Sequence, residues 1–534
     1  MAGRTQLTMF SKLLLTILIV GALVFGGYYF INKTSVGKDL KDKSTEYSDA
    51  GSDGYSSGSS SSSSDRRSAG DDDVVKIGVV TWGGYAGGQY FNEGFEASTA
   101  SRFYKDYGIQ VEFKVLDDFE ASRNAFRADE VNLLWQTIDA FPTEVNGLGD
   151  FDPVILWQAD WSRGGDAVVA RRGINSVADL RGKKIAVTEL TPSHSFLLWL
   201  LEAGGLTVAD VENVPQAPAI DAAEVFKSQR VDAAVVWSTD DILSLKAVPG
   251  SKVLESTRSA AYIIADVFMA KRSYVDRNQD KIAKIYEGWM KGAAEINSSA
   301  SSRSKAASIL AREFTERGTA LTDAEAAEMI GNVRLTTHGD NLNFFGLNAD
   351  YRGVTGNELY TEMSNRYTDL GFIEGRVPNW RQIAYPRFVT GATLSGAAHN
   401  AEGAKEFTKA TAAESTKEAI ATKRISINFR TAEYQLDENA KYIIDKEFAG
   451  IAKAFGNARI RVEGNTDSTG NYDSNVRLSQ RRAQSVANYL ISEYNMPRNR
   501  FIVVGNGPDN PVANNSTETG RAQNRRTDFE LIGE

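Results

Sequence analysis

Gly464-Asn465-Thr466-Asp467-Ser468-Thr469-Gly470, followed by Asn475, Leu478-Ser479, Arg482-Ala483 and Val486, is the most telling stretch of this chain. It continues an alternating run, Arg459–Glu463, that reads as a strand, and it opens Asp473–Glu493, which reads as a helix. Gly470 permits the turn between them, since glycine enters left-handed backbone without a steric cost. An Asp at a strand end and an Arg on the next helix hold one carboxylate and one guanidinium close together. Such a pair suits a ligand with both an amine and a carboxylate, and the planar fork of Arg grips a carboxylate at two points where Lys offers one. Asn475 and Arg482 lie seven apart and share one helical face. Val486 continues roughly along that face, while Ala483, Ala487 and Leu490 can pack inward.

Around this stretch, Ile425–Phe429 reads as a strand, Asp437–Phe455 as a long helix and Phe501–Val504 as a third strand. Gly520-Arg521-Ala522-Gln523-Asn524-Arg525-Arg526 precedes the last strand, Thr527–Ile532. The β-α-β-α-β order and the motif resemble the peptidoglycan-binding domain of the OmpA family. Its pattern, T-D-x-x-G and then N-x-x-L-S-x-x-R-A-x-x-V, is matched at every position. The resemblance covers about Ile425–Ile532 and departs from the family at Asn465, where His is common. It implies a diaminopimelate stem peptide of peptidoglycan as the ligand. Asp467 would accept from its ammonium and Arg482 would clamp its carboxylate, with Thr466, Asn475 and Arg525 as further contacts. A purely structural Asp–Arg pair is the plainer alternative. Because exposed ion pairs contribute only about 0–1 kcal/mol, loss of either residue is expected to spare folding.

From Val74 onward, strands alternate with helices. Val74–Thr81, Gln110–Val115, Val131–Trp135, Asp166–Arg171, Lys184–Thr188 and Val231–Trp237 read as strands. Phe91–Tyr104, Ser193–Ala203 and Ala222–Ser228 read as helices. Such alternation argues for parallel sheets covered by helices, and the length argues for two lobes. The ordered series Gly165–Ala170, Val177–Val187, Ser193–Leu201, Gly205–Thr207 and Val231–Trp237 is similar to the periplasmic solute-binding proteins of nitrate, taurine and sulfonate ABC transporters. The similarity covers about Val74–Val389 and implies two lobes that close on a small-molecule solute. Ligands of open α/β sheets sit where strands end and helices begin. Trp82, Gln136, Thr137, Ser193, Trp237 and Asp240 are therefore the candidate solute contacts, with Thr239 beside them. Asp240 suits a ligand amine. Thr191-Pro192-Ser193 opens a helix, with Thr191 as its cap, and free N–H groups there suit an anionic group. Gly83, Gly84, Gly87 and Gly88 would let a ligand approach the backbone.

Leu13–Ile31 is an uncharged apolar run long enough for one membrane-spanning helix, with Arg4 and Lys12 before it and Lys33 and Lys38 after. A cleaved signal peptide is the alternative, against which stand its length and the poor cleavage site Gly26–Phe30. Without an ionisable residue, the span cannot carry protons. Residues 32–73, with Ser59–Ser64, have the composition of a disordered tether, reaching about 35 Å on average. Gly54-Tyr55-Ser56-Ser57-Gly58 spells G-x-S-x-G but lacks the flanking strand and helix of a nucleophile elbow. Residues 390–423 read as a second linker, partly helical around Ala410–Ala421.

Composition narrows the function. The chain has 534 residues, 42% of them hydrophobic, a formal charge of −9 and no Cys. The acidic balance argues against nucleic acid. The absence of Cys removes thiol chemistry and disulfides. Three His (His194, His338 and His399) and no H-E-x-x-H leave no evident metal site, cofactor or catalytic residue.

The expected fold is thus an α/β multidomain chain. It runs from a cytoplasmic tail (1–12) and a transmembrane helix (13–31) through the tether to a two-lobed solute-binding module (74–389), the linker, and an OmpA-like α/β sandwich (424–534). The expected role is a non-enzymatic inner-membrane protein with its bulk in the periplasm. It would bind peptidoglycan and a solute, with a membrane transporter or envelope complex as a further partner. The alternatives are a structural tether whose middle module binds proteins or nothing, and the receptor of an ABC uptake system.

Overall fold

A computed structural model describes residues 74–533 apart from 217–219, 239, 428, 431 and 432. The cytoplasmic tail, the apolar run Leu13–Ile31, the tether with its Gly54–Gly58 motif, and Thr239 lie outside the described residues. Among those described, no helix is long and apolar enough to cross a membrane.

Strands β1 (Val74–Val79), β2 (Gln110–Val115), β3 (Leu133–Thr137) and β4 (Pro153–Ser162) come first in the chain. They are followed by β5 (Asp166–Ala170), β6 (Lys184–Val187), β7 (Glu212–Pro215), β8 (Ala233–Trp237) and β9 (Lys252–Ser256), and then by β10 (Ala265–Lys271) and β11 (Val333–Leu335). One sheet has the order β11-β4-β10-β3-β1-β2 and the other β7-β6-β8-β5-β9. These are the two lobes. The chain crosses between them twice, at 163–165 and at 257–264. Every residue of β3, β4 and β10 is buried, as expected of strands covered on both faces.

The sheets are mixed rather than wholly parallel. β1 runs parallel to β2 and β3, but β10 is antiparallel to β3, and β5 to β8. The reason is topological. A strand that arrives from the other lobe enters its sheet from the cleft side, against the strands whose carboxyl ends point there. The starts of β5 and β10 are thereby brought to the ends of their neighbours, Asp166 beside Trp237 and Asp266 beside Thr137.

Helices α1 (Phe119–Arg127) and α2 (Pro192–Ala203) pack on these sheets, and α3 (Gly356–Asp369) packs on the turn at 141–143. The sequence predicts the start of α2 correctly, and Thr191 occupies the cap position. Its hydroxyl, however, bonds back to the Thr188 carbonyl (2.7 Å) and caps nothing.

The C-terminal sheet has the order β12-β15-β13-β14, from β12 (Ala421–Ile425), β13 (Arg459–Asn465), β14 (Phe501–Gly507) and β15 (Thr527–Ile532). Helix α4 (Tyr472–Tyr494) lies across β13 and β14, and α5 (Glu518–Asn524) precedes β15. The close approach of α4 rests on Gly464 and Gly505, where a Cβ would strike the helix backbone at Ser479 and Gln480. The helix expected over Asp437–Phe455 is interrupted by a π turn at 445–449.

The segment read as a linker is laid along the module. Its helix is confined to Ala412–Thr416, and β12 begins inside it at Ala421. Asn400 accepts from Thr337 (2.8 Å), and Glu402 pairs with Arg163 in the first crossover (2.7 Å). The C-terminal domain touches the second crossover. The Tyr262 N–H donates to Ala454 O (3.0 Å), and the Asn457 N–H to Ser259 O (3.2 Å).

Candidate functional site

Two sites emerge, one at each module. In the C-terminal domain, β13 ends at Asn465 and the loop Thr466–Gly470 returns to α4, with Gly470 at φ +97° making the turn. Asn471 caps α4 by accepting from the Ser474 N–H (3.0 Å). The Asn475 amide donates to the Thr469 carbonyl (3.0 Å), so this side chain holds the loop rather than facing outward. Val486, one turn on from Arg482, is wholly buried with Ala483, Ala487 and Leu490.

The ion-pair partner of Asp467 is Arg525, not Arg482. Arg525 Nη1 lies 2.7 Å from Asp467 Oδ2, and its Nη2 lies 2.9 Å from Glu518 on α5. Asp467 Oδ1 accepts from the Thr469 N–H (2.8 Å). Burial alone would raise the Asp467 pKa. The bond from Arg525 and the Thr469 N–H outweigh it and hold the carboxyl below its ordinary value. Arg482 stands nearby without a carboxylate in ion-pair range among the described residues. It donates to the Glu433 and Arg430 carbonyls (3.0 and 3.3 Å) and lies over the Phe429 ring (4.8 Å). Burial and then the charge of Arg525 lower its pKa, with Asp467 pulling the other way. The Thr466 hydroxyl is buried with no hydrogen-bond partner. The pocket therefore has one satisfied acid, one bridged base, one base without an acid, and an unused hydroxyl.

The second site lies between the lobes. A cavity of about 40 Å³ sits at the ends of β1, β3 and β8, lined by Trp82, Tyr85, Phe119, Trp135, Thr137, Pro192 and Trp237 with Asp166 and Asp266. Of the residues predicted for the solute, Trp82, Thr137 and Trp237 line it, and Ser193 stands behind Trp237, accepting from the indole N–H (3.0 Å). Gln136 is buried beside it. Its carbonyl oxygen accepts from the Thr137 N–H (2.8 Å) and from Arg123 (3.2 Å). Asp240 is not part of the lining. It begins its own helix, 3.9 Å from Lys227. The glycines admit protein rather than ligand, since a Cβ at Gly84 would overlap the Asp160 carboxylate and one at Gly88 the Trp289 ring.

Sequence reasoning missed the acids. Asp139, Asp160, Asp166 and Asp266 are each no more than 5% exposed. Trp82 donates to Asp160 (3.2 Å), the Tyr85 hydroxyl to Asp266 (2.6 Å) and the Ser162 hydroxyl to Asp166 (2.7 Å). Burial raises all four. Asp139 and Asp166 reach about 7, Asp266 about 8, and Asp160 rises too, with the charge of Asp266 adding to its burial. Arg123, whose charge acts on Tyr85, is paired with Glu144 (2.6 Å). The available signal was an Asp inside an apolar strand, as in Trp157-Gln158-Ala159-Asp160-Trp161 and Ile264-Ala265-Asp266-Val267. His194 is buried, and desolvation lowers its pKa to about 4. No group of His, Cys, Asp or Glu among the described residues is arranged to hold a metal ion.

Residues 428–525 match the model of the OmpA family, and residues 164–299 that of the family described as NMT1/THI5 like. Curated proteins similar to this chain include the probable lipoprotein YiaD of Escherichia coli strain K12, 47% identical over 83 residues (16% of this chain, 37% of that protein). Outer membrane porin F of Pseudomonas aeruginosa is 37% identical over 111 residues (21% and 31%). The peptidoglycan-binding protein ArfA of Mycobacterium tuberculosis is 40% identical over 90 residues (17% and 27%). The chain spans only about a third of the length of these relatives. A similar solved structure is the periplasmic aliphatic sulphonate binding protein SsuA from Escherichia coli. It is 18% identical with a TM-score of 0.47, covering 60% of this chain and 99% of that one. An OmpA-family domain thus closes the chain, preceded by an NMT1/THI5-like domain.

Proposed function

We propose that this chain is an envelope protein that grips peptidoglycan through its C-terminal domain (424–534) and takes a small solute between the lobes of 74–389. It binds and does not catalyse. Leu13–Ile31 anchors it as a single span in the inner membrane, with the bulk in the periplasm, and residues 32–73 give the tether.

The observation that carries this reading is the asymmetric pocket at Thr466–Gly470. Asp467 is fixed by Arg525 and the Thr469 N–H, while Arg482 has no acid of its own among the described residues. A ligand carboxylate brought to Arg482 would supply the missing charge and relieve its repulsion from Arg525, in a two-point contact suited to guanidinium. The ligand ammonium would meet Asp467, and Thr466 offers one further polar contact. Diaminopimelate, with an ammonium and a carboxylate at its free end, has the matching chemistry. The name of the mycobacterial relative supports the same ligand class.

The test is co-sedimentation of the full chain with intact sacculi. The unsubstituted protein is expected in the pellet and to be released by free diaminopimelate. Arg482→Ala and Asp467→Ala are expected in the supernatant with unchanged circular dichroism. Sedimentation of both variants at the unsubstituted level would refute the assignment.

A further inference from the structure

The cleft between the lobes has the opposite electrostatic sign from the oxyanion site suggested by the helix start at Pro192. Its lining contains two carboxylic acids, Asp166 and Asp266, and no Lys, Arg or His. Asp160 stands one contact further out, tied to Trp82. An oxyanion placed here would meet acids without a base to balance it, and a buried unpaired charge is among the costliest arrangements a protein can hold. The remaining walls are aromatic. Phe119 stacks on Trp237 (centroids 6.0 Å apart, planes at 24°) and meets Trp135 edge to face (5.0 Å). Ring faces attract cations through their quadrupole, most strongly where water is excluded.

Three further atoms are without a hydrogen-bond partner, the buried Trp135 indole N–H among them. The Thr137 hydroxyl lines the cavity, on a residue 2% exposed, and has no hydrogen-bond partner. One oxygen of the wholly buried Asp160 also has none. Buried polar atoms are rarely left unbonded, and a ligand N–H is what an unused hydroxyl or carboxylate oxygen can accept.

We infer that the solute of this cleft is a small organic ammonium ion, held by the carboxylates of Asp166 and Asp266 within an aromatic enclosure, with the Thr137 hydroxyl accepting from its N–H. The ligand class rests on the solute-binding reading given above. A cavity of about 40 Å³ admits only a few heavy atoms, so methylammonium is the appropriate first probe.

The groups facing Asp266 are Tyr85, Asp139, Asp160 and Asp166, with Arg123 beyond Tyr85 and already paired to Glu144. Without a cation these acids suppress one another's ionisation. A bound ammonium favours the carboxylate form, so binding is accompanied by proton release and strengthens as pH rises.

The experiment is calorimetric titration of the full chain, in detergent, with methylammonium, trimethylammonium, methanesulfonate and nitrate. It is run at pH 6 and 8 in buffers of different ionisation enthalpy. The expected result is that an ammonium binds, at least tenfold more tightly at pH 8, with protons released to the buffer. Asp266→Asn and Asp166→Asn should each weaken it at least tenfold while keeping sacculus co-sedimentation and the circular dichroism spectrum. Binding of methanesulfonate or nitrate in competition with any ammonium, or to the exclusion of it, would overturn the ammonium class and leave the solute reading intact. Absence of heat from all four probes at both pH values would remove both.

Discussion

The two pockets handle buried acid in opposite ways. In the C-terminal domain, Asp467 is bonded to Arg525 and kept ionised. In the cleft, four aspartates share space with hydroxyls, an indole and one another, and burial drives them toward the neutral form. One pocket carries its counter-charge within the fold and presents a spare base. The other lacks a counter-charge and must obtain one from a proton or a ligand. The difference teaches that the charge a pocket calls for is a local property. That property is set by a few side chains at strand ends.

The contrast gives the two regions opposite pH behaviour, which mutants can break. The largest effect is expected at Asp266. Its folded pKa of about 8 lies above the unfolded value, so its contribution to stability is complete below about pH 4 and is lost as pH rises through 8. Each pH unit within that window costs about 1.4 kcal/mol. Asp266→Asn removes the titration. In thermal melts without ligand it should match the unsubstituted chain at pH 4 and exceed it by several degrees at pH 8. Equal melting at both pH values would mean that the acid ionises freely.

Next in size is Arg525→Ala, which frees Asp467 from its bridge. Sacculus affinity should fall about tenfold, roughly 1.4 kcal/mol, as read by co-sedimentation against protein concentration. An unchanged affinity would assign the ligand to Arg482 alone. Smaller again is Asp467→Asn. The folded pKa of Asp467 is lowered, so its contribution is present above about pH 4 and lost as pH falls through the folded value. Because Arg525 is 40% exposed, the pair should contribute only about 1 kcal/mol. A drop of about 2 °C at pH 7 that shrinks as the pH is lowered below 4 is expected. Smallest is Asp240→Asn. Ammonium affinity should stay within twofold, since Asp240 lies against Lys227 and not in the cavity.

The C-terminal pocket was largely readable because its parts are close in sequence. Strand, turn and helix between Arg459 and Tyr494 fix Asp467, Asn475 and Arg482 by local geometry. The ion pair of Asp467 with Arg525 was not readable, because Arg525 arrives from a distant segment through α5. The cleft was half readable. Trp82, Thr137 and Trp237 follow from the rule that ligands gather at strand ends. The acids do not, because Asp139, Asp160, Asp166 and Asp266 converge only after two lobe crossings reverse β5 and β10. Glycines 83–88 misled for a related reason. Sequence shows that something must approach the backbone, but not whether it is a ligand or the neighbouring Asp160 and Trp289. The helix expected around Ala410–Ala421 is present but short, Ala412–Thr416, because β12 takes the chain from Ala421, and the linker before it is held on the module by Asn400 at Thr337 and Glu402 at Arg163.

That last contact has a mechanical corollary. Both crossovers between the lobes are pinned from outside, the first by Glu402 on Arg163, the second by Ala454 and Asn457 on Tyr262 and Ser259. Arg163 also lies over the Tyr262 ring, 4.5 Å from its centre, which ties the two pins together. One crossover is thus held by the linker and the other by the C-terminal domain. A displacement of the C-terminal domain would therefore be felt first at the second crossover between the lobes.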